Sequence, residues 1–306
     1  FRLAVLSQAF LGVLSFALPH TPPPARGQPF SAREALGVDA LVLLKQPSYL
    51  VFMVSSFLVC IPLAFYYQLA QNGLDAGGIV DIAQTMAYGQ VSEIFFMVVM
   101  PFFLVRLGVK WMLAIGMLAW AVRYLLFAFG VPDGVFWMLY GGVILHGICY
   151  DFFFVTGQLY TDRVAPARIR GQAQGMLVLF TLGLGMLIGA QVAGQVEKRF
   201  SPPAEEKMAL TDGASALATE IAALVKTRQE SQVAVPGIDE RIDQLRAERR
   251  GLLLQTVDWK ALWLVPAIGA AVVLVLFSLT FKDRIRRDDL VSKSIEKKPD
   301  EDGGEA

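Results

Sequence analysis

The sequence predicts an all-α, polytopic membrane protein with six complete spanning helices, and three observations predict it. Of 306 residues, 55% are hydrophobic and only 18% are charged. With a mean hydropathy of +0.51, the chain is too apolar for a soluble domain with a polar skin. Apolar runs recur that are long enough, at about 1.5 Å per helical residue, to cross a hydrocarbon core of about 30 Å. One of these runs also carries polar side chains near its midpoint. In DIAQTMAYGQVSEIFFMVVMPFFLVRLGVK, Asp81 to Lys110, Gln90 and Glu93 lie three residues apart and so share a helical face. Lipid offers a carboxylate no hydrogen-bond partner, so this face is expected to turn toward other helices or a watery cavity.

Taken in order, residues 1–18 read as the end of a preceding transmembrane helix. The chain opens on Phe1 inside an apolar run, with no A-x-A-like cleavage site after it, and is expected to be part of a longer protein. Residues 19–47 form an interdomain linker. Its PHTPPPARGQP stretch is extended by prolines, and Ser31 to Lys45 has amphipathic spacing, with Leu36, Leu41 and Leu44 opposite Arg33, Glu34 and Lys45. That second part suits the membrane surface.

Residues 48–196 hold five spans. Tyr49 to Ala70 is interrupted near its middle by Pro62 and ends in Tyr66, Tyr67 and Gln68, with Gln71 just beyond. The turn QNGLDAGG leads to the Gln90/Glu93 span, Ile82 to Leu107. Trp111 to Gly130 follows with Arg123 inside it, and Val131 to Gly134 forms a tight turn. Val135 to Gly157 holds His146, Tyr150 and Asp151. Gly171 to Val196 carries six glycines that offer faces for close backbone approach. Residues 197–259 turn polar, with helical patterns over Ala204 to Lys226 and Ile238 to Leu254 joined through VAVPG. Residues 260–282 form the last span, and residues 283–306 have the mixed-charge composition of a disordered tail.

Positive charges in short loops set the orientation. Arg106 and Lys110 lie in one loop, Arg163, Arg168 and Arg170 two loops later, and Lys282, Arg284, Arg286 and Arg287 after the last span. All fall on one side, whereas the intervening loops carry Asp75 and Asp133. The linker and the C-terminus are therefore expected in the cytoplasm, the polar insert outside, and the whole in a bacterial inner membrane. Six spans after the end of another, with a cytoplasmic linker between, fit the second half of a twelve-helix transporter. The halves of such a fold are parallel repeats with the site between them near the midplane.

Two segments carry the resemblance to a known family: QVSEIFFMVVMPFFLVRLGVKWMLAIGMLAWAVRYLLFAFG and GICYDFFFVTGQLYTDRVAPARIRGQAQGM. Both closely resemble the nucleoside:proton symporters of the major facilitator superfamily, over roughly Tyr49 to Val196 and the last span. The resemblance implies the C-terminal six-helix half of a twelve-helix major facilitator fold. It also implies uptake of nucleosides by proton symport through alternating access. The missing N-terminal half of the same protein then completes the site, so this stretch alone is not expected to transport. By resemblance, Gln90 with Glu93, and Tyr150 with Asp151, belong to the nucleoside site. The chain departs from the family pattern at His146, where members carry tyrosine, and at Phe154, where they carry asparagine. It also has Phe65 to Gln68 where members place glutamine and asparagine.

Chemistry supports the same choice of residues. A dry cavity must satisfy every polar group it takes from water. Glu93 or Asp151 suits a ribose hydroxyl pair, Gln90 or Gln68 a base edge, and Tyr150, Phe154 or Tyr67 a stacking face. Glu93 and Asp151 are the candidates to load and release a proton, and His146 shares a face with Tyr150. Arg123 lies at about the same depth as Glu93 on the neighbouring helix, so a structural ion pair between them is the competing reading.

Other function classes find little here. Zero net charge leaves no broad basic surface for nucleic acid, and the two cysteines, Cys60 and Cys149, sit inside apolar runs rather than at metal-ligand spacing. No metal or cofactor is expected. The sequence has no H-E-x-x-H, no G-x-S-x-G and no phosphate-binding glycine loop, so an enzyme is not expected. The partners expected are a nucleoside, protons and the lipid bilayer. Two alternatives stay open: a sugar or oligosaccharide symporter of the same fold, and a membrane receptor or scaffold acting through the external insert.

Overall fold

In the computed structural model, residues 2–19, 37–231 and 236–282 are described; the linker stretch 20–36, residues 232–235 of the connection between the two insert helices and the tail 283–306 lie outside them. The described residues form helices and no strand. They are α1 (Arg2–Ser15), the 3₁₀ turn α2 (Val38–Lys45), α3 (Pro47–Ala76), α4 (Ile82–Asp133), α5 (Phe136–Val164), α6 (Ala167–Phe200), α7 (Ala204–Glu230), α8 (Ile238–Gln255) and α9 (Trp259–Thr280). Six of these, α3 to α7 and α9, are long and apolar enough to cross a membrane. The fold is all-α, as the composition requires.

Local chemistry sets the ends. Pro47 stands in the first turn of α3, where its missing N–H costs nothing. The Asp81 carboxylate caps α4 by accepting from the Gln84 N–H at 2.9 Å, and Asp258 caps α9 in the same way from Ala261 at 3.0 Å. Gly134, with φ 63°, closes α4 in a left-handed conformation that only glycine adopts cheaply.

α4 is two antiparallel limbs. A straight helix of 52 residues would run about 78 Å, more than twice the hydrocarbon thickness. At Gly108 the backbone takes φ 74° and ψ 173°, a region essentially closed to residues with a Cβ. Contacts on either side show that the chain folds back there. Phe96 and Phe103 of the first limb both meet the Phe152 ring, at 5.9 and 5.5 Å, while Gly116 of the second limb lies against the neighbouring Phe153. With α4 taken as two limbs, α3, α5, α6 and α9 bring the membrane-length segments to six, and α7 is a seventh by length and hydropathy.

The core sits where α3, the second limb of α4 and α9 meet. Tyr124 stacks on Trp263 at 5.9 Å and donates to the Pro62 carbonyl at 2.7 Å. Helix α3 runs unbroken through Pro62, contrary to the expected interruption, because membrane helices tolerate proline when neighbours re-satisfy the backbone. Only two of the α6 glycines press directly against another helix. A Cβ on Gly185 would come within 2.8 Å of Cys60, and one on Gly189 within 2.7 Å of Ala64, whereas Gly171, Gly175 and Gly194 face open space. In α2 the buried residues are Ala40 and Leu43, while Leu41 is exposed. The 3₁₀ repeat of three residues per turn replaces the expected α-helical face.

Candidate functional site

Three small residues bring the Glu93 helix close to α5. Gly147 donates its N–H to the Ser92 hydroxyl at 2.9 Å, and that hydroxyl donates to the Gly89 carbonyl at 2.7 Å. A Cβ on Gly147 would fall 2.5 Å from the Ser92 carbonyl carbon, and one on Gly89 3.3 Å from the His146 Cβ. This close crossing brings Glu93 to His146. Nε2 of the histidine lies 2.9 Å from Oε1 of the carboxylate, with the side chains 13% and 24% exposed.

Around this pair lies a cavity of about 430 Å³. Glu93, Gln90 and Met86 come from one face of α4, His146 and Tyr150 from α5, and Tyr66, Tyr67 and Gln71 from the end of α3. The spacing explains the grouping: positions 86, 90 and 93, and positions 67 and 71, are one helical turn apart. The Tyr66 ring stacks on His146 at 5.5 Å and on Phe127 at 6.3 Å, and its hydroxyl donates to the Met86 sulfur at 3.7 Å. Tyr67 meets Tyr66 edge-on at 6.0 Å and is exposed, so it offers a free aromatic face at the rim.

The expected site residues divide. Gln90, Glu93, His146 and Tyr150 line the cavity. Gln68 is exposed and, a third of a turn round from Tyr67, does not line it. Phe154 is buried behind Tyr150, at 5.3 Å, and against Trp120, at 5.7 Å. Asp151 is completely buried, outside the cavity lining, and neither carboxylate oxygen has a hydrogen-bond partner among the described residues. It sits in a π-helical turn, Tyr150–Val155, that displaces side chains from ideal α-helical register. π-turns of this kind concentrate at functional sites.

Arg123 is not joined to Glu93. Fully buried, it donates from Nε to the Gly142 carbonyl at 2.8 Å and holds its guanidinium 4.1 Å from the centre of the Tyr66 ring. Its Nη1 and Nη2 have no hydrogen-bond partner among the described residues. His146 approaches the carboxylate instead. Gln71, Tyr66 and Met86 line the cavity without having been expected from the sequence. The i, i+4 spacing of Tyr67 and Gln71 was the signal for Gln71.

The sequence model of the nucleoside H+ symporters matches residues 1–225, well over half of the chain. The chain belongs to the nucleoside H+ symporter family. Among its relatives, the putative nucleoside transporter YegT of Escherichia coli K12 is 35% identical over 280 residues, covering 90% of this chain and 55% of YegT. The nucleoside permease NupG of the same organism is 30% identical over 205 residues, 63% of this chain and 49% of NupG. The E. coli xanthosine permease is 28% identical over 202 residues. The crystal structure of NupG superposes with a TM-score of 0.58 at 25% identity, covering 90% of this chain and 58% of that one. A NupG mutant structure gives 0.62 at 24% identity. The chain spans about half the length of the curated relatives it matches. This family member is therefore a multi-pass membrane protein of the major facilitator fold, in a family of transporters.

Proposed function

We propose that the whole protein takes up nucleosides together with protons by alternating access, and that the α3–α4–α5 cavity is this half's share of the substrate site. The observation that carries the proposal is the cavity lining. Amides at Gln71 and Gln90, a carboxylate at Glu93 and aromatic rings at Tyr67 and Tyr150 surround about 430 Å³ inside a membrane bundle of this family. Relatives bear the names of a nucleoside permease and a xanthosine permease, which supports the substrate class.

Each group has a chemical task. The two amides present both donors and acceptors to a base edge. Glu93 accepts from vicinal ribose hydroxyls, and the exposed face of Tyr67, with Tyr150 opposite, stacks on the base. Glu93 and Asp151 are the proton carriers. A buried carboxylate with no partner is costly as an ion and cheap as a neutral acid, which suits Asp151 to that task in this state. The nucleoside enters against Glu93 in competition with His146, so substrate binding and rearrangement of the Glu93–His146 pair are coupled. The cytoplasmic C-terminus, the hairpin of α7 and α8 outside, and residence in a bacterial inner membrane complete the proposal.

Uptake of labelled uridine and adenosine by the full-length protein, in cells without their own nucleoside permeases, tests the reading. Uptake that collapses with a protonophore and is competed by nucleosides but not by sugars is the expected result. Competition by sugars instead, or no uptake by protein that reaches the membrane, rejects it.

A further inference from the structure

A second hollow, of about 420 Å³, lies where the α7–α8 hairpin meets the ends of α3 and α4. Three arginines line it, Arg246, Arg249 and Arg250, against one carboxylate, Asp75. We propose that this hollow is a binding site for a phosphate ester carrying an apolar or planar group.

The arginines are held but not saturated. Arg249 gives Asp75 two hydrogen bonds, Nη1 to Oδ1 at 2.6 Å and Nη2 to Oδ2 at 2.7 Å, yet its buried Nε has no hydrogen-bond partner among the described residues. Arg250 donates from Nη2 to the carbonyls of Pro132 at 2.7 Å and Val131 at 3.3 Å, which fixes it over the closing turn of α4. Arg246 reaches Asp243 only at 3.5 Å, the limit of a hydrogen bond. Guanidinium groups fixed by one edge keep their other N–H donors in a rigid fork, and that fork matches the oxygens of a phosphate. The wall that α7 contributes is apolar, through Ile221, Ala222 and Val225. Three cations beside an apolar wall fit an anion with an apolar remainder better than they fit a bare ion.

The hollow also continues the cavity. Asp75 is one turn beyond Gln71 on α3, and Ile82 one turn before Met86 on α4, so the two spaces lie about 6 Å apart along the same pair of helices. A ligand here is either a soluble nucleotide on its way to that groove or the headgroup of an anionic phospholipid at the helix ends. The chemistry is shared. The proposal does not rest on the nucleoside reading, since it is read by binding and not by uptake.

The test uses the full-length protein. Uridine 5′-monophosphate is titrated in detergent by calorimetry, with uridine as control, and thermal stability is compared in nanodiscs of phosphatidylglycerol and of phosphatidylcholine. Saturable binding of the monophosphate that excess uridine does not displace, or a melting temperature raised by phosphatidylglycerol alone, is expected, and which of the two occurs identifies the source. The effect should weaken at least tenfold in the Arg246→Gln, Arg250→Gln double variant. If that variant is unstable without ligand, the exposed Arg246→Gln alone should still lose about threefold. No response to either probe, or a response undiminished in these variants, overturns the proposal.

Discussion

Two carboxylate–base contacts lie a few helical turns apart, and they are built differently. Glu93–His146 in the cavity and Asp75–Arg249 at the hairpin are about equally shielded, with side-chain exposures of 24% and 13% against 25% and 26%. Burial does not distinguish them. The cavity pair has a single 2.9 Å contact and a partner from the only side-chain type whose ordinary titration falls between about pH 5 and 8. The hairpin pair has two parallel bonds to a guanidinium that is charged at every accessible pH. In the proposed transport cycle, the contact that changes is made of titratable groups. A contact that has to hold is made of a fork.

The largest break in that comparison is Glu93→Gln. In the proposed site Glu93 accepts from ribose hydroxyls, and losing a hydrogen bond to a charged group, worth about 1.5–3 kcal/mol, corresponds to roughly a 10- to 100-fold change in an equilibrium. Nucleoside uptake should fall by that order and lose its response to a protonophore, while the amide still holds ligand in a binding assay on purified protein. Protonophore-sensitive uptake by this variant would remove Glu93 from proton coupling.

Next comes the crossing that creates the cavity pair. Gly147→Ala puts a methyl 2.5 Å from the Ser92 backbone, so α5 and the first limb of α4 must move apart. Overpacking of this kind costs about 1–3 kcal/mol. The melting temperature should drop, and uptake should fall with it, because His146 no longer reaches Glu93. A variant with unchanged stability would mean that the crossing is looser than its hydrogen bonds indicate.

Asp75→Asn sharpens the contrast from the other side. Removing the charge behind two parallel hydrogen bonds should cost about 1–2 kcal/mol, read as a lower melting temperature or faster proteolysis of the hairpin. The pH dependence also has a definite sign. The Asp75 hydrogen bonds, opposed by burial, hold the Arg249 pKa above its ordinary value. A raised folded-state pKa gives stability that is complete below the ordinary value and lost only as pH climbs past the raised one. Hairpin protection should therefore be flat from about pH 5 to 9, while uptake through the cavity varies across that range. Parallel variation of the two would break the distinction.

How much of this was legible in the sequence follows from what sequence patterns encode. Apolar run length and the midpoint polar pair gave the spans and brought forward Gln90 and Glu93, because helical period and lipid exclusion act locally. The reversal at Gly108 was legible as a loop between runs, but its single-residue form was not. Asp151 was singled out by motif, yet a π-turn, which has no sequence period of its own, turned it away from the cavity. The exchange of partners was invisible for a different reason. Depth along neighbouring helices paired Arg123 with Glu93, whereas a tertiary crossing set by Gly89, Ser92 and Gly147 delivers His146. The arginines of α8 gave no signal at all, since a helix of mixed charge in a polar insert reads as solvated.

The smallest effect is the most local test of the cavity. Tyr67 and Gln68 are adjacent and both exposed, so they share depth, helix and access to solvent. They differ only in direction: Tyr67 lines the cavity and Gln68 does not. Loss of one aromatic stacking partner is worth about 0.5–1.5 kcal/mol. Tyr67→Ala should therefore raise the half-saturating nucleoside concentration roughly 2- to 12-fold, with maximal uptake nearly unchanged. Gln68→Ala should do neither, although its amide is the better hydrogen-bonding group for a base. Equal effects from the two would mean that the end of α3 acts as a polar rim and not as a stacking surface, and the base would then be held by Tyr150 and the amides alone.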